Sequence, residues 1–129
     1  MRNRIALTMG DPAGVGPEIC LKLLARLESD SSPVIIGDVG ELRRQAEGLG
    51  LALHVVEIDS PALSRPEHGK VEVVQAGILS DTVTMGRIDA ACGQIAFDCV
   101  SAAIDLALSG EIDGIVTAPI NKAAMSEAG

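Results

Sequence analysis

The chain has 129 residues, a length that suits one compact domain, and 47% of them are hydrophobic, which excludes a disordered polypeptide. Ten basic and eighteen acidic residues give a net charge of −8, and the aromatic residues amount to one phenylalanine. This charge and the lack of aromatic stacking surfaces argue against a nucleic-acid partner and an anionic membrane, whereas a small phosphorylated ligand needs only a few local donors.

The first part of the chain predicts a strand, a loop, a helix and a second strand. The apolar run RIALTM (4–9) predicts a buried strand, and GDPAGVGPE after it predicts a loop because it holds three glycines and two prolines. Pro17 and Glu18 suit the first turn of a helix. The apolar face of this helix is predicted at Cys20, Leu23, Leu24 and Leu27. PVIIGD (33–38) then predicts the second strand.

The middle of the chain continues the alternation. VGELRRQAEGLG (39–50) predicts a surface helix that ends at Gly48 or Gly50, and LALHVVEI (51–58) predicts a third strand. A proline-rich connection follows. KVEVVQA (70–76) alternates only in part, so we expect a strand near an edge of the sheet, and the stretch after it predicts a loop.

The longest predicted element is a helix over about 88–109. Its polar residues fall on one narrow stripe at helical spacing: Gln94, Asp98, Ser101, Asp105 and Ser109. Nearly all its other residues are apolar, so we expect a helix covered on more than one side, by a sheet and by a partner element or second subunit. Gly110 ends this helix, DGIVTAP (113–119) predicts a buried strand, and INKAAMSEAG (120–129) predicts the start of another helix.

This order of elements predicts an α/β fold with a mainly parallel sheet and helices on both faces. In such sheets, ligands bind at the loops that follow the carboxyl ends of the strands. Two loops are therefore candidates, Gly10–Pro17 after the first strand and Thr117–Lys122 after the last.

The first candidate loop is neither a P-loop nor a dinucleotide-binding G-x-G-x-x-G motif. Its glycines, Gly14 among them, let the backbone approach a ligand, and the helix that follows presents unpaired N–H groups. Asp11 could orient a hydroxyl group of that ligand. The alternative is a plain strand-to-helix turn in which Asp11 accepts a hydrogen bond from the backbone.

The second candidate loop combines a hydroxyl, an amide and a cation. Thr117 ends the last predicted strand, and Asn121 and Lys122 lie in the first turn of the next helix. A cation is unfavourable against the helix dipole there, so Lys122 suggests a bound anion or a carboxylate partner. The alternative is a solvated surface lysine.

The histidines and cysteines do not predict a metal site or a nucleophile. His54 lies in a strand as a packing or surface residue, and His68 lies in the proline-rich connection. Cys20, Cys92 and Cys99 form no C-x-x-C pair, and each falls in an apolar helical pattern, so we expect buried, reduced thiols in a cytoplasmic protein. The apolar stretch near residue 1 is too short for a signal peptide.

Two motifs together resemble one known family. LTMGDPAGVGPEI near the first residue and GEIDGIVTAPINKAAMSEAG at 110–129, with a long alanine-rich helix between them, resemble the 4-hydroxythreonine-4-phosphate dehydrogenases of vitamin B6 biosynthesis. The resemblance implies a fold like that of isocitrate and isopropylmalate dehydrogenases, in a homodimer. Members are more than twice as long, so residues 1–129 correspond to an N-terminal, apparently truncated portion without an internal boundary.

The resemblance also implies an activity. Members oxidise 4-phosphooxy-L-threonine with NAD, and the product decarboxylates to 3-amino-2-oxopropyl phosphate, with a divalent metal (Zn, Mg or Co) whose ligands lie outside this chain. The positions that match the family's two loops are Asp11, Gly14, Thr117, Asn121 and Lys122, to which we assign supporting roles in the cleft. The sequence identifies no catalytic residue. Two alternatives stay open: a paralogue that oxidises 4-phosphothreonate or 4-phosphoerythronate, and a non-catalytic truncated module.

Overall fold

The computed structural model describes residues 4–10, 16–26, 33–65, 69–76 and 90–117, with the backbone alone at 90–92. Strands and helices alternate along these residues, as the sequence predicts. The strands are β1 (Ile5–Thr8), β2 (Val34–Gly37), β3 (His54–Glu57), β4 (Lys70–Gln75) and β5 (Gly114–Thr117). The helices are α1 (Gly16–Arg26), α2 (Val39–Gly48) and α3 (Ala90–Leu108), and a short 3-10 helix spans Pro61–Leu63.

The five described strands form one sheet in the order β3-β4-β2-β1-β5, and every pairing in it is parallel. This confirms the predicted α/β class. β4 lies near an edge, as predicted: it is the second strand of the sheet, paired with the edge strand β3 on one side and with β2 on the other. Its polar residue Glu72 is buried and accepts hydrogen bonds from the Ser64 hydroxyl at 2.5 Å and the Arg65 N–H at 2.7 Å.

The helices cover both faces of the sheet, as predicted. From β1 to β2 to β3 the chain moves towards one edge, and from β4 to β5 it moves towards the other. Because parallel crossovers are right-handed, these opposite movements place α1 and α2 on one face and α3 on the other. The packing agrees with this assignment, since α2 contacts β3, β4 and α1, while α3 contacts β2, β1 and β5.

Helix α1 is rotated relative to the prediction. Its buried residues are Gly16, Pro17, Cys20, Leu21 and Leu24. Leu23, predicted on the apolar face, is 41% exposed, whereas Leu21 is fully buried. The predicted face and the observed face both have helical spacing. Four of the five residues from 20 to 24 are cysteine or leucine, so the sequence is compatible with either of two neighbouring faces of the helix.

Helix α3 has an apolar outer side that no described element covers. Ile95, Cys99 and Ala103 face the core and are at most 2% exposed. Phe97, Ile104 and Leu108 are 54%, 46% and 82% exposed. The expected second cover of this helix is therefore absent from the described residues. No helix among those residues is long and apolar enough to span a membrane.

Candidate functional site

The carboxyl ends of β1 and β5 lie side by side and bring the starts of both candidate loops together. The two strands pair in parallel, with Thr8 opposite Thr117. The direction of winding reverses at β1, since β2 lies on one side of it and β5, reached through α3, lies on the other. Such a reversal opens a crevice between the two strand ends, which is where open α/β sheets bind ligands.

Of the five predicted site residues, the described part of the chain contains Thr117. It is the last residue of β5, and it is exposed. Asp11, Gly14, Asn121 and Lys122 lie outside the described residues, so their roles stay predictions. The expectation that β5 is buried is wrong: Ile115 is 36% and Val116 is 53% exposed, because among the described strands β5 pairs only with β1.

The chain leaves β1 through two buried residues that hold the strand end in place. The Met9 N–H donates to the Ile36 carbonyl oxygen at 2.9 Å, which continues the pairing with β2. Gly10 has a φ of 78°, a left-handed conformation that glycine adopts without a steric cost. The first candidate loop thus starts from a fixed strand end.

A buried hydroxyl at the end of β1 is a feature that the sequence analysis missed. Thr8 is 0% exposed, and its Oγ1 has no hydrogen-bond partner among the described residues. Buried hydroxyls are normally paired, because a hydroxyl that leaves water without a new partner loses free energy. The available signal was the single polar side chain within the apolar run IALTM (5–9).

The ends of β2 and β4 carry a second polar group, which is satisfied internally. Asp38 begins α2, and its Oδ2 accepts a hydrogen bond from the Glu41 N–H at 2.7 Å. The Gln75 side chain donates to Asp38 Oδ1 at 2.7 Å and accepts from the Val39 N–H at 2.9 Å. The first N–H groups of α2 are thereby used within the chain, which argues against an anion site at this helix end.

The buried thiols of Cys20 and Cys99 lie next to the end of β1 and are unreactive at neutral pH. Cys20 Sγ donates to the Thr8 carbonyl oxygen at 3.8 Å. Burial raises the pKa of the Cys20 and Cys99 thiols to about 12 each. Both stay protonated at neutral pH, so neither is a nucleophile or metal ligand there. This confirms the predicted buried thiols at these two positions; the side chain of Cys92 lies outside the described residues.

A cavity of about 430 Å³ lies elsewhere, between the second half of α2 and the start of β3. Its lining includes Arg43, Glu47 and His54, and His54 is exposed, so of the two expected roles, packing or surface residue, it has the second. Residues 54 and 117 lie at opposite ends of parallel strands, so this cavity is separate from the β1–β5 crevice. Within the described ranges, no three His, Cys, Asp or Glu side chains are placed to hold a metal ion.

Comparisons with known proteins give one consistent family. The model of a family described as "Pyridoxal phosphate biosynthetic protein PdxA" matches residues 29–129. The chain is 38% identical to a 4-hydroxythreonine-4-phosphate dehydrogenase of Beijerinckia indica, over 97% of this chain and 37% of that protein. It is also 38% identical to a D-threonate 4-phosphate dehydrogenase of Salmonella typhimurium, over 97% of this chain and 39% of that protein.

A solved structure agrees with these sequence matches. The crystal structure of a 4-hydroxythreonine-4-phosphate dehydrogenase from Burkholderia phymatum superposes with a TM-score of 0.93 at 34% identity. The match covers all of this chain (100%) and 40% of that one. The chain therefore spans about two-fifths of the length of the relatives that it matches, with 37% and 39% for the two relatives above.

Proposed function

This chain belongs to the PdxA family, and from that membership we propose that the protein carrying it is an NAD-dependent dehydrogenase of a phosphorylated hydroxy acid. The observation that carries the proposal is the pairing of β1 with β5, which sets Thr8 opposite Thr117. Neighbouring strands lie about 4.8 Å apart, so two loops that leave from these ends share one crevice. A small ligand in that crevice can contact both loops.

The proposed roles follow from the chemistry of the loop residues. Thr117 is an exposed residue at the strand end, where its hydroxyl can donate a hydrogen bond to a substrate oxygen. We assign Asn121 a second donor role and Lys122 the charge partner of a carboxylate or phosphate group. In the first loop, we assign Asp11 to a substrate hydroxyl and Gly14 to the close approach of the backbone.

The proposed reaction is an oxidation followed by loss of carbon dioxide. NAD would supply the acceptor for the hydride that leaves the carbon carrying the substrate's β-hydroxyl group. The hydroxyl proton leaves, and the resulting β-keto acid loses its carboxylate as carbon dioxide and takes up a proton. For 4-phosphooxy-L-threonine the product is 3-amino-2-oxopropyl phosphate.

Two kinds of substrate are candidates, because the relatives carry two names. The first is 4-phosphooxy-L-threonine, as in the Beijerinckia relative, and the second is D-threonate 4-phosphate, as in a Bordetella bronchiseptica relative that is 40% identical. Both carry a phosphate, a carboxylate and a β-hydroxyl group. They differ at the α-carbon, which carries an ammonium group in the first and a hydroxyl group in the second. 4-Phosphoerythronate is a further candidate of the second kind.

A divalent metal (Zn, Mg or Co) and a homodimer belong to the proposal as properties of the whole protein. The described residues do not fit such a metal, since they bring no three ligating side chains together. Its ligands would have to come from other parts of the protein. No step above depends on it.

The test is NADH formation by the complete protein that carries this chain, with each of the three phosphate esters offered separately. We expect one of them to support turnover well above the others. Lys122→Met should weaken substrate binding or turnover, whereas the control Lys22→Met should not, because Lys22 lies on α1 in an exposed pair with Glu18 at 3.0 Å.

Two results would count against the proposal. Absence of NADH formation with all three esters would favour the non-catalytic alternative. Unchanged kinetics in the Lys122→Met variant would remove this lysine from the site while leaving the dehydrogenase assignment in place.

A further inference from the structure

The buried hydroxyl of Thr8 is in the right place to act on Thr117. The two residues are direct partners across β1 and β5, so their side chains stand on the same face of the sheet. Thr8 is 0% exposed, whereas Thr117 is exposed at the crevice. In antiparallel sheets, directly opposed threonines hydrogen-bond across the strands, and the parallel pairing of Thr8 with Thr117 likewise places both side chains on one face of neighbouring strands.

Packing alone does not explain why this position carries a threonine. The residues that pair with Thr8 and follow it are apolar, Ile36 on β2 and Met9 next in the chain, and both are fully buried. Valine has the same branched shape as threonine and would fill the same space without burying a hydroxyl. The Thr8 Oγ1 atom has no hydrogen-bond partner among the described residues, so its hydroxyl is available to donate a hydrogen bond.

We propose that Thr8 is a positioning residue for Thr117, and that the two hydroxyls form a hydrogen bond when substrate occupies the crevice. In this arrangement the Thr8 hydroxyl donates to Thr117 Oγ1. Thr117 then has its own proton free to donate to an oxygen of the phosphorylated hydroxy acid. Thr8 does not touch the substrate, because it is fully buried.

The physical basis is the choice of rotamer at Thr117. An exposed threonine side chain samples three staggered positions around χ1. A fixed donor on the neighbouring strand selects the one that places Oγ1 within reach, so the hydroxyl is oriented before the substrate oxygen arrives. The substrate then loses less free energy in ordering this contact, which is the general effect of preorganisation. This inference rests on the proposed function, since it needs a substrate in the crevice.

The experiment is a double-mutant cycle on substrate affinity in the complete protein. The variants are Thr8→Val, Thr117→Val, the double variant and Thr8→Ser, and Kd is measured by calorimetry with the ester that the wild-type protein oxidises. We expect Thr8→Val to weaken binding by roughly threefold to tenfold, the range for one hydrogen bond. Thr117→Val should weaken it at least as much, and the double variant should match Thr117→Val. Thr8→Ser should restore most of the affinity, because it keeps the hydroxyl.

A purely structural role for Thr8 gives a different result. In that case the effects of Thr8→Val and Thr117→Val on Kd would multiply, within roughly twofold, and the inference would be wrong. Unaltered affinity in Thr8→Val would also overturn it. If the wild-type protein binds none of the esters, the proposed function fails, and this inference fails with it.

Thermal unfolding without ligand supplies an independent check. Because valine removes an unpaired hydroxyl and keeps the shape, Thr8→Val should leave Tm equal to or above that of the wild-type protein. A clear decrease in its Tm would mean that the hydroxyl already has a partner in the ligand-free protein, which contradicts the proposal.

Discussion

The tight contact between Gly37, the last residue of β2, and Met9, which follows β1, predicts that Gly37 cannot be replaced by any larger residue without a loss of stability. Gly37 is the last residue of β2, and a Cβ atom built on it would lie 2.7 Å from Met9 Cβ and 3.0 Å from Met9 Sδ. Carbon atoms in contact normally lie about 3.5 to 4.0 Å apart, so Gly37→Ala requires the strands to separate by about 1 Å. Met9 is fully buried, so any shift of its side chain disturbs the surrounding core.

The expected loss of stability follows from the free-energy cost of placing extra atoms in a packed core. Overpacking by one methyl group destabilises a protein by about 1 to 3 kcal/mol. For a domain of this size, that corresponds to a decrease in Tm of roughly 4 to 12 °C. Urea unfolding of Gly37→Ala, followed by circular dichroism, measures the free energy directly.

Two further variants make the Gly37 prediction specific. Gly48, the last residue of α2, has no atom within 4 Å of a built Cβ, so Gly48→Ala should be neutral or stabilise by up to about 1 kcal/mol. Adding Met9→Ala to Gly37→Ala should not restore stability, because alanine keeps the Cβ atom that makes the 2.7 Å contact. A Gly37→Ala protein whose free energy of unfolding is within 0.5 kcal/mol of wild type, a typical surface value, would refute this reasoning.

Three other predictions concern the cap of α2, the thiols and the outer side of α3. Asp38→Ala should destabilise by about 1 kcal/mol, whereas Asp38→Asn should cost less because asparagine also caps helices; equal losses in urea unfolding would contradict the capping role. Cys20 and Cys99 should resist alkylation at neutral pH until the protein unfolds, because burial raises the pKa of each thiol to about 12. Peptide mapping that finds either cysteine labelled in the folded protein would contradict this. The isolated 129-residue chain should self-associate through its exposed apolar residues, and the substitutions Phe97→Gln, Ile104→Gln and Leu108→Gln should reduce this self-association. A monodisperse monomer of the unaltered chain in light scattering would show the idea to be wrong.

The strands were predictable because buried parallel strands are short apolar runs bounded by turn residues. RIALTM and PVIIGD therefore gave β1 and β2 at nearly their observed limits. The position of a strand within the sheet was not predictable in the same way. The partial alternation of KVEVVQA placed β4 near an edge, but it did not indicate that β4 is second in the sheet or that its buried Glu72 has partners in the preceding connection, at Ser64 and Arg65.

Contacts between residues far apart in the chain also limited how much of the candidate site could be predicted. Asp38 and Gln75 are 37 residues apart in the chain, and neither pattern around them indicates that their side chains meet. Sequence reasoning found Thr117 because it precedes a proline, an asparagine and a lysine, which together suggest chemistry. It missed Thr8 because one threonine in an apolar strand does not indicate a functional role until the residues that neighbour its hydroxyl are known.

The pairing of Thr8 with Thr117 follows from the topology and not from either motif. β1 and β5 are the first and last described strands, and they become neighbours because the chain winds from β1 towards one edge and returns past it through α3. That reversal creates the crevice and also places a buried polar side chain beside an exposed one, on the neighbouring strand. A residue that breaks the apolar pattern of a core strand costs stability, so its presence at this reversal, and not in the middle of the sheet, is an argument that the position serves the crevice.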